Sequence, residues 1–260
     1  MTDLLRFSEE QGRLFLSADE RPERIARRKQ LLEALGVQPG ERILEVGCGA
    51  GQLAVEIAAL VGSTGRVDGV DISEDMLAAA RDRCRDQLVS SWIQFSKADA
   101  TELPFPDGFF DAVVSHMVYE YVPAIDKAMA ELRRVTRGGG RAVIVDCDWD
   151  SIVWHSSDRK RMERVLSAWE EHLAYPWLPR DLESRLRDAG FAAVRIEPYA
   201  LLEKDPGHYI IDMVAAFVPG RRGVTEDEAQ AWAADQHELG HRGRYFFSSI
   251  PYRFTAIAPA

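Results

Sequence analysis

Two short stretches carry residue types at spacings that could do chemistry. The first is His237-Glu238-Leu239-Gly240-His241. Two histidines four apart on a helix put both imidazoles on one face, where they could hold zinc with the glutamate as general base. The second is Glu45-Val46-Gly47-Cys48-Gly49-Ala50-Gly51, with Asp71 following 20 residues after Gly51. Glycines there permit positive φ and close approach of a ligand to the backbone. A helix that starts at the loop offers unpaired N–H groups, and an aspartate at the end of the next strand can accept from both hydroxyls of a ribose.

Local signals separate the two. Thr225-Glu226-Asp227-Glu228 is a capping box that starts a helix, with an apolar stripe through Ala229, Trp232, Ala233, Gln236 and Leu239. Gly240 reads as its left-handed stop, which leaves His237 helical and His241 beyond the turn. The segment after His241 contains no His, Asp, Glu or Cys, so a third zinc ligand would have to come from upstream. No metal is therefore expected. The glycine loop reads GxGxG with Gln52 at its sixth position, whereas a dinucleotide loop reads GxGxxG. Glu45, two residues before the glycines, suits a cationic ligand group better than a diphosphate.

The chain has 260 residues, 46% of them hydrophobic, enough for one sizeable core. Its 42 acidic against 32 basic residues give a net charge of −10 and disfavour nucleic acid or an anionic membrane surface as partner. Cys48, Cys84 and Cys147 lie far apart without a CxxC, which fits a reducing cytoplasm. The N-terminal MTDLLRFSEEQG carries acids where a secretory leader would be basic and then apolar, and no run approaches the ~18 apolar residues of a membrane span.

The elements that must position these residues alternate. Strand patterns fall at Arg42–Val46, Arg66–Val70, Trp92–Ser96, Asp111–Ser115 and Arg141–Asp146, and helical patterns at Gly51–Leu60, Glu74–Leu88 and Ala124–Val135. Turn signals sit at Pro39-Gly40 and at Gly138-Gly139-Gly140, before the first and fifth strands. Such alternation implies βαβ units and a parallel sheet with helices on both faces. Beyond Asp146, residues 150 to 176 read as helical, then Asp181–Ala189 as a helix and Ala193–Tyr199 as a strand. Two further helical patterns, Tyr209–Val218 and Glu226–Leu239, precede a last strand at Tyr245–Ala258.

The glycine loop resembles the first motif of the class I S-adenosylmethionine-dependent methyltransferases, and the likeness continues in register. Val70-Asp71-Ile72-Ser73 with Met76-Leu77 is similar to that family's ribose-binding segment, and Asp99-Ala100 with Leu103-Pro104-Phe105-Pro106-Asp107-Gly108 to its adenine-binding segment. Phe110–Ser115 resembles its fourth strand, and Leu132–Val135 with Gly139-Gly140 the approach to its fifth. The nearest look is to the small-molecule branch that includes ubiquinone and menaquinone biosynthesis enzymes. Phe109 and Arg137-Gly138 depart from the usual small polar residue and Pro-Gly.

The resemblance implies a single methyltransferase domain over 1–260 with a Rossmann-like, seven-stranded, mostly parallel sheet. Its cofactor-binding core spans about 37–149, with helical substrate-lid insertions at about 150–177 and 205–243. It implies S-adenosylmethionine as methyl donor and S-adenosylhomocysteine as product. Gly47, Cys48, Gly49 and Gly51 would line the methionine and ribose portion, with Glu45 organising the loop and Ser115 beside it. Asp71 would bind the ribose hydroxyls, Ile72 and Met76 would flank the adenine, Asp99 would accept from its amino group, and Ala100 would supply a backbone contact.

Ligands on such sheets bind beyond the carboxyl ends of the strands, so SHMVYEYV and DCDWD should face the reacting centre. Methyl transfer is an in-line displacement that asks mainly for alignment and a water-poor site; a base is needed only where the acceptor must lose a proton. His116, directly after strand four, is the first candidate base, followed by Tyr119, Glu120, Asp148 and His155. Their plainer roles are a carbonyl bond for His116 and a helix cap for Glu120. The tryptophans at 149, 154, 169 and 177 read as core before they read as an aromatic wall for an apolar acceptor. The segment HYIIDMVAAFV reads as lid or homodimer interface. A catalytically silent cofactor-binding scaffold is the alternative. A nucleotide oxidoreductase is disfavoured by the glycine spacing. Nucleic-acid methylation is disfavoured by the charge and the missing (Asp/Asn)-Pro-Pro-(Tyr/Phe) tetrapeptide.

Overall fold

A computed structural model describes residues 22–85, 87–205 and 208–260; the N-terminal MTDLLRFSEEQG lies outside the described residues. The order is α1 (Pro22–Leu35), β1 (Arg42–Val46), α2 (Gln52–Val61), β2 (Arg66–Asp71), α3 (Glu74–Cys84), β3 (Ile93–Lys97), β4 (Phe110–His116), α4 (Ile125–Val135) and β5 (Thr136–Trp154). It continues with α5 (Arg159–Trp169), α6 (Leu178–Asp188), β6 (Ala192–Pro198), β7 (Leu201–Glu203), α7 (His208–Phe217), α8 (Glu226–His241) and β8 (Phe247–Ile257). The sheet runs β3-β2-β1-β4-β5-β8-β6, with β7 also on β8. Strands β1 to β5 pair in parallel, and β8 is antiparallel to β5, β6 and β7. The mostly parallel sheet expected from the alternation is thus present, with β7 as an additional short strand.

The strand period of two sorts side chains onto two cores. Ile43 of β1 packs with Leu31 and Leu35 of α1 and with Leu53, Ile57 and Val61 of α2. Leu44 and Val46 point the other way, to Leu132 of α4 and Leu182 of α6. Burying each such aliphatic side chain contributes about 1.5–3 kcal/mol. A third cluster joins the far end of β5 to three helices, through Trp154, Trp169 of α5, Val214 of α7, and Trp232 of α8 with Tyr245 beyond it.

Four features differ from the sequence expectations. First, β5 is far longer than Arg141–Asp146. The glycine triplet lies inside it, where the register shifts between Phe110 and Ala112 of the neighbouring β4. A Cβ on Gly140 would sit 2.8 Å from the Arg137 carbonyl and 2.9 Å from that of Asp111, so the glycine admits this close crossing. Second, residues 150–154, expected as helix, remain strand, with Val153 opposite Ser248. Ile152, Val153 and Trp154 suit a pleated surface, and the helix starts only at Arg159, where the Asp158 carboxylate accepts from the Arg161 amide at 3.0 Å.

Third, α8 passes through Gly240 and ends at His241. Its left-handed stop is Gly243 (φ 63), closed by Arg244 N donating to the Leu239 carbonyl and Gly243 N to that of Gly240. His237 and His241 are therefore both helical and one turn apart. His241 is exposed, and His237 Nε2 lies 3.7 Å from Asp212 Oδ1 of α7. The described residues hold no group of three His, Cys, Asp or Glu able to bind a metal ion. Fourth, α1 was not anticipated, although Leu31 and Leu35 one turn apart carry a helical period. No described helix is long and apolar enough to cross a membrane.

Candidate active site

The carboxyl ends of β1 and β2 carry the glycine loop. Gly47 N and Cys48 N both donate to the Val70 carbonyl, at 2.7 and 2.9 Å, which ties the start of the loop to β2. Gly47, Gly49 and Gly51 all have positive φ, at 70°, 49° and 77°, a region where other residues are strained. Their surroundings differ. A Cβ on Gly47 would lie 2.2 Å from Val118 Cγ2, and one on Gly51 would meet the Phe95 ring at 2.7 Å and Ala80 Cβ at 2.9 Å. A Cβ on Gly49 would meet nothing within 4 Å. Two glycines let neighbours close in, and the middle one faces open space.

Asp71 braces that middle glycine. Its Oδ2 accepts from Gly49 N and its Oδ1 from Ser73 N, both at 2.9 Å. Burial raises its pKa despite these bonds and one from the Ile72 amide. Ser73 caps α3 by accepting from Met76 N at 3.3 Å. Ile72 then stands 66% exposed while Met76 is buried, leaving an apolar face beside the aspartate. Ala98 N donates to the Asp71 carbonyl at 3.1 Å and so brings Asp99-Ala100 alongside. Asp99 Oδ1 accepts from Thr101 N at 2.8 Å and so closes a turn. Glu45 is buried in β1, and Cys48 beside it has its thiol pKa raised by burial and then by Glu45 and Asp71. Ser115 is fully buried at the end of β4, and its Oγ finds no partner among the described residues. The residues of this half gather around one loop.

The other half looks different from its expected form. His116 is exposed at the end of β4, and crowding by neighbouring atoms, followed by the charges of Arg24, Arg27 and Arg28 of α1, shifts its imidazole below the ordinary value. Tyr119 is fully buried in the core with Leu44, Val46 and Val113. Glu120, also 0% exposed, does not cap α4: its Oε2 accepts from Cys147 N and from Trp149 Nε1, each at 3.1 Å. Burial drives its pKa up to about 7. Asp148 is held by Arg180 of α6 through two bonds of 2.8 and 2.9 Å, so its carboxylate serves a bridge to that helix. His155 lies at the exposed tail of β5, its amide donating to the Phe246 carbonyl at 2.9 Å. Of the four tryptophans, 154 and 169 are core, 149 is half-buried and 177 is 51% exposed.

Several functional contacts had no sequence signal. Arg83 of α3 reaches the Ala50 carbonyl at 3.0 Å and also Gln52, bracing the loop from behind. Val118 forms its wall. His172 sits fully buried among Tyr121, Trp149, Trp169 and Phe217, with ring centroids 3.9 to 5.8 Å away. Asp146, fully buried midway along β5, was read only as part of a strand.

Residues 44–144 match the methyltransferase-domain family Methyltransf_11. That segment, under half of the chain, is similar to a methyltransferase domain. It is 41% identical over 115 residues, 44% of this chain and 45% of the relative, to the ubiquinone/menaquinone biosynthesis C-methyltransferase UbiE of Pseudomonas entomophila. It is also 41% identical over 109 residues, 42% of this chain and 47% of the relative, to the 2-phytyl-1,4-naphtoquinone methyltransferase of Synechococcus elongatus. The matched segment thus spans about half the length of these relatives. A solved Bacillus halodurans protein described as a methyltransferase, 19% identical, superposes with a TM-score of 0.64 over 90% of this chain and 100% of its own, a likeness of fold.

The family is S-adenosylmethionine-dependent, and the loop fits such a group. The open space beside Gly49, the half-buried Asp71 carboxylate behind it, the exposed Ile72 and the Ser115 Oγ, unpartnered among the described residues, offer a cradle, a ribose acceptor, a ring platform and a spare polar atom.

Proposed function

We propose that this protein is an S-adenosylmethionine-dependent methyltransferase acting on a small acceptor with an apolar or aromatic body. The observation that carries the reading is Gly49, held by Asp71 with its Cβ direction empty, inside a segment 41% identical to a methyltransferase. When bound, the sulfonium supplies an activated methyl group and a neutral thioether leaving group. Gly47, Cys48, Gly49 and Gly51 then line its methionine and ribose part, Glu45 orders the loop, and Asp71 accepts from the ribose hydroxyls. Ile72 and Met76 flank the adenine, Asp99 and Ala100 contact its edge, and Ser115 offers a hydroxyl beside the loop.

The acceptor then lies beyond β4 and β5, under a lid of α5, α7 and α8, and excluding water there favours the displacement. His116 is the group proposed to take a proton where the acceptor must lose one. The arginines of α1 disfavour its protonated form, so it is neutral at pH 7 and able to accept a proton. Tyr119, Glu120 and Asp148 stand behind the pocket wall and shape it. Cytoplasmic location and homodimer assembly belong to the same proposal; a monomer mass by light scattering would remove the dimer.

Calorimetric titration tests the donor assignment, with S-adenosylmethionine, S-adenosylhomocysteine and NAD as ligands. Both sulfur compounds should bind and NAD should not. Gly49→Ala and Asp71→Ala should each weaken binding by about ten- to a hundredfold, the range for losing one buried hydrogen-bonding partner. Variants that behave like the parent would sink the assignment. Labelled methyl donor with metabolite extracts then reports the acceptor; extracts without any labelled product would favour the silent scaffold.

A further inference from the structure

The turn after β4 is held in an unusual way. Met117 has φ 58, a left-handed conformation that a methionine adopts only when its surroundings enforce it. Its own amide donates to the Val145 carbonyl at 2.7 Å. The next residues are gathered by one side chain: Asp146 Oδ1 accepts from Val118 N at 3.1 Å, and the Asp146 carboxyl also takes the Glu120 and Tyr119 amides. Three successive N–H groups on one carboxyl define the turn. The result is positional, because Val118 then occupies the space where a Gly47 Cβ would be, 2.2 Å from that point.

Glu120 ties the same turn to the other side. Its backbone carbonyl accepts from Ala174 N and Tyr175 N, both at 2.9 Å. Its Oε2 holds Cys147 N and the Trp149 indole, and Trp149 packs on Trp169 and His172. Glu120 Oε1 and Asp146 Oδ2 remain unpartnered among the described residues, and both residues are fully buried. Burial raises both carboxyls, and the Glu120 charge raises Asp146 further, so ionising one disfavours ionising the other.

We propose that Asp146 and Glu120 form a positioning pair. Asp146 holds the 117–120 turn against the glycine loop, and Glu120 joins that turn to the aromatic cluster beside the acceptor. Neither carboxyl touches donor or acceptor. The donor half of this role rests on the assignment of the glycine loop to S-adenosylmethionine.

The test compares Asp146→Ala with Asp146→Asn, using S-adenosylhomocysteine affinity by calorimetry and amide hydrogen exchange at residues 118–120. Alanine removes the acceptor, so affinity should fall about tenfold and exchange at those amides should quicken. Asparagine keeps an acceptor oxygen and should restore affinity to within about threefold of the parent. Parent-like affinity and exchange in the alanine variant, or an asparagine variant as weak as alanine, overturns the proposal. Should Asp146→Ala fail to fold, Val118→Ala keeps the carboxyl pair and thins the wall; about fivefold weaker binding with parent-like exchange at 119 and 120 is expected. Unchanged affinity in that variant overturns the link to the glycine loop. A parent that binds no S-adenosylhomocysteine overturns the donor assignment instead, and the exchange measurement then reads the hold of Asp146 independently, unchanged exchange refuting it.

Discussion

The glycine loop and the aromatic cluster around Trp169 are built by different means. In the loop the working parts are backbone: Gly47 and Cys48 amides on the Val70 carbonyl, Gly49 on Asp71, and three glycines at positive φ. Only glycine takes these conformations without strain, so the loop demands particular residues at consecutive positions. In the cluster, Trp149, Trp169, His172 and Phe217 meet ring to ring from separate elements. Side chains of suitable volume could fill such a core in many orders, and packing tolerates exchange while volume is kept. A backbone site leaves a motif, whereas a packed wall leaves only composition.

The sharpest way to break this contrast is to damage the cluster and read the loop. Trp232 is fully buried against Trp154, ring centroids 5.1 Å apart. Trp232→Ala should lower unfolding free energy in urea by about 3–5 kcal/mol. S-adenosylhomocysteine affinity at low temperature should stay within about twofold, well under the ~1.4 kcal/mol of a tenfold change. A parallel loss of affinity would mean that the two regions are one unit. Gly47→Ala probes the loop itself. Its Cβ would collide with Val118 at φ +70, so a loss of about 1–3 kcal/mol in stability is expected, with binding strongly weakened. Adding Val118→Ala should recover part of both, since it removes the collision but not the backbone strain. Absence of any recovery would argue against that contact.

A smaller effect comes from the buried glutamate between the regions. Glu120 is raised from the ordinary 4.5 to about 7 by burial, so between those values the folded chain keeps a proton that the unfolded chain has lost. That contribution to stability therefore falls as pH rises through this window and does not return above it. His172, held down to about 4 chiefly by burial, acts oppositely: between about 4 and 6.5 the unfolded chain binds the extra proton, and stability rises with pH. The parent curve combines both trends, so the comparison with Glu120→Gln isolates the glutamate. From pH 5 to 8 the parent should lose about 1–3 kcal/mol relative to the variant in urea titrations. Superimposable curves would exclude a proton on Glu120. Smallest of all, His237→Ala should change stability by no more than about 0.5 kcal/mol, since it is partly exposed and Asp212 stands 3.7 Å from its ring. Stoichiometric zinc in the parent, lost in this variant, would restore the metal reading.

Much of the fold was legible in residue order. The alternation of β-branched runs and helical patterns located β1 to β4, α2 to α4, and the closing strand to within a few residues. It missed α1 and the tail of β5. In that tail, Ile152 to Trp154 sit between residues that also suit a helix, and pairing with β8 settled the outcome. Gly240 was read as a stop because local pattern cannot tell which of two nearby glycines takes positive φ. The closing bonds chose Gly243.

The candidate site divides along the same line. Glu45, the three glycines, Asp71, Asp99 and Ala100 were named from their order, because backbone conformation and strand-end placement depend on neighbours in the chain. The positions of Asp146, Val118, Arg83 and His172 depend on distant partners. Asp146 meets the 118–120 amides across 26 to 28 residues, and Arg83 reaches Ala50 across 33. Burial, which raises Glu120 and lowers His172, arises only when the sheet and the aromatic cluster close around them. Residue order was enough to place the glycine loop because conformation is a local property. The acceptor side had to wait for the folded chain, since packing and desolvation are not.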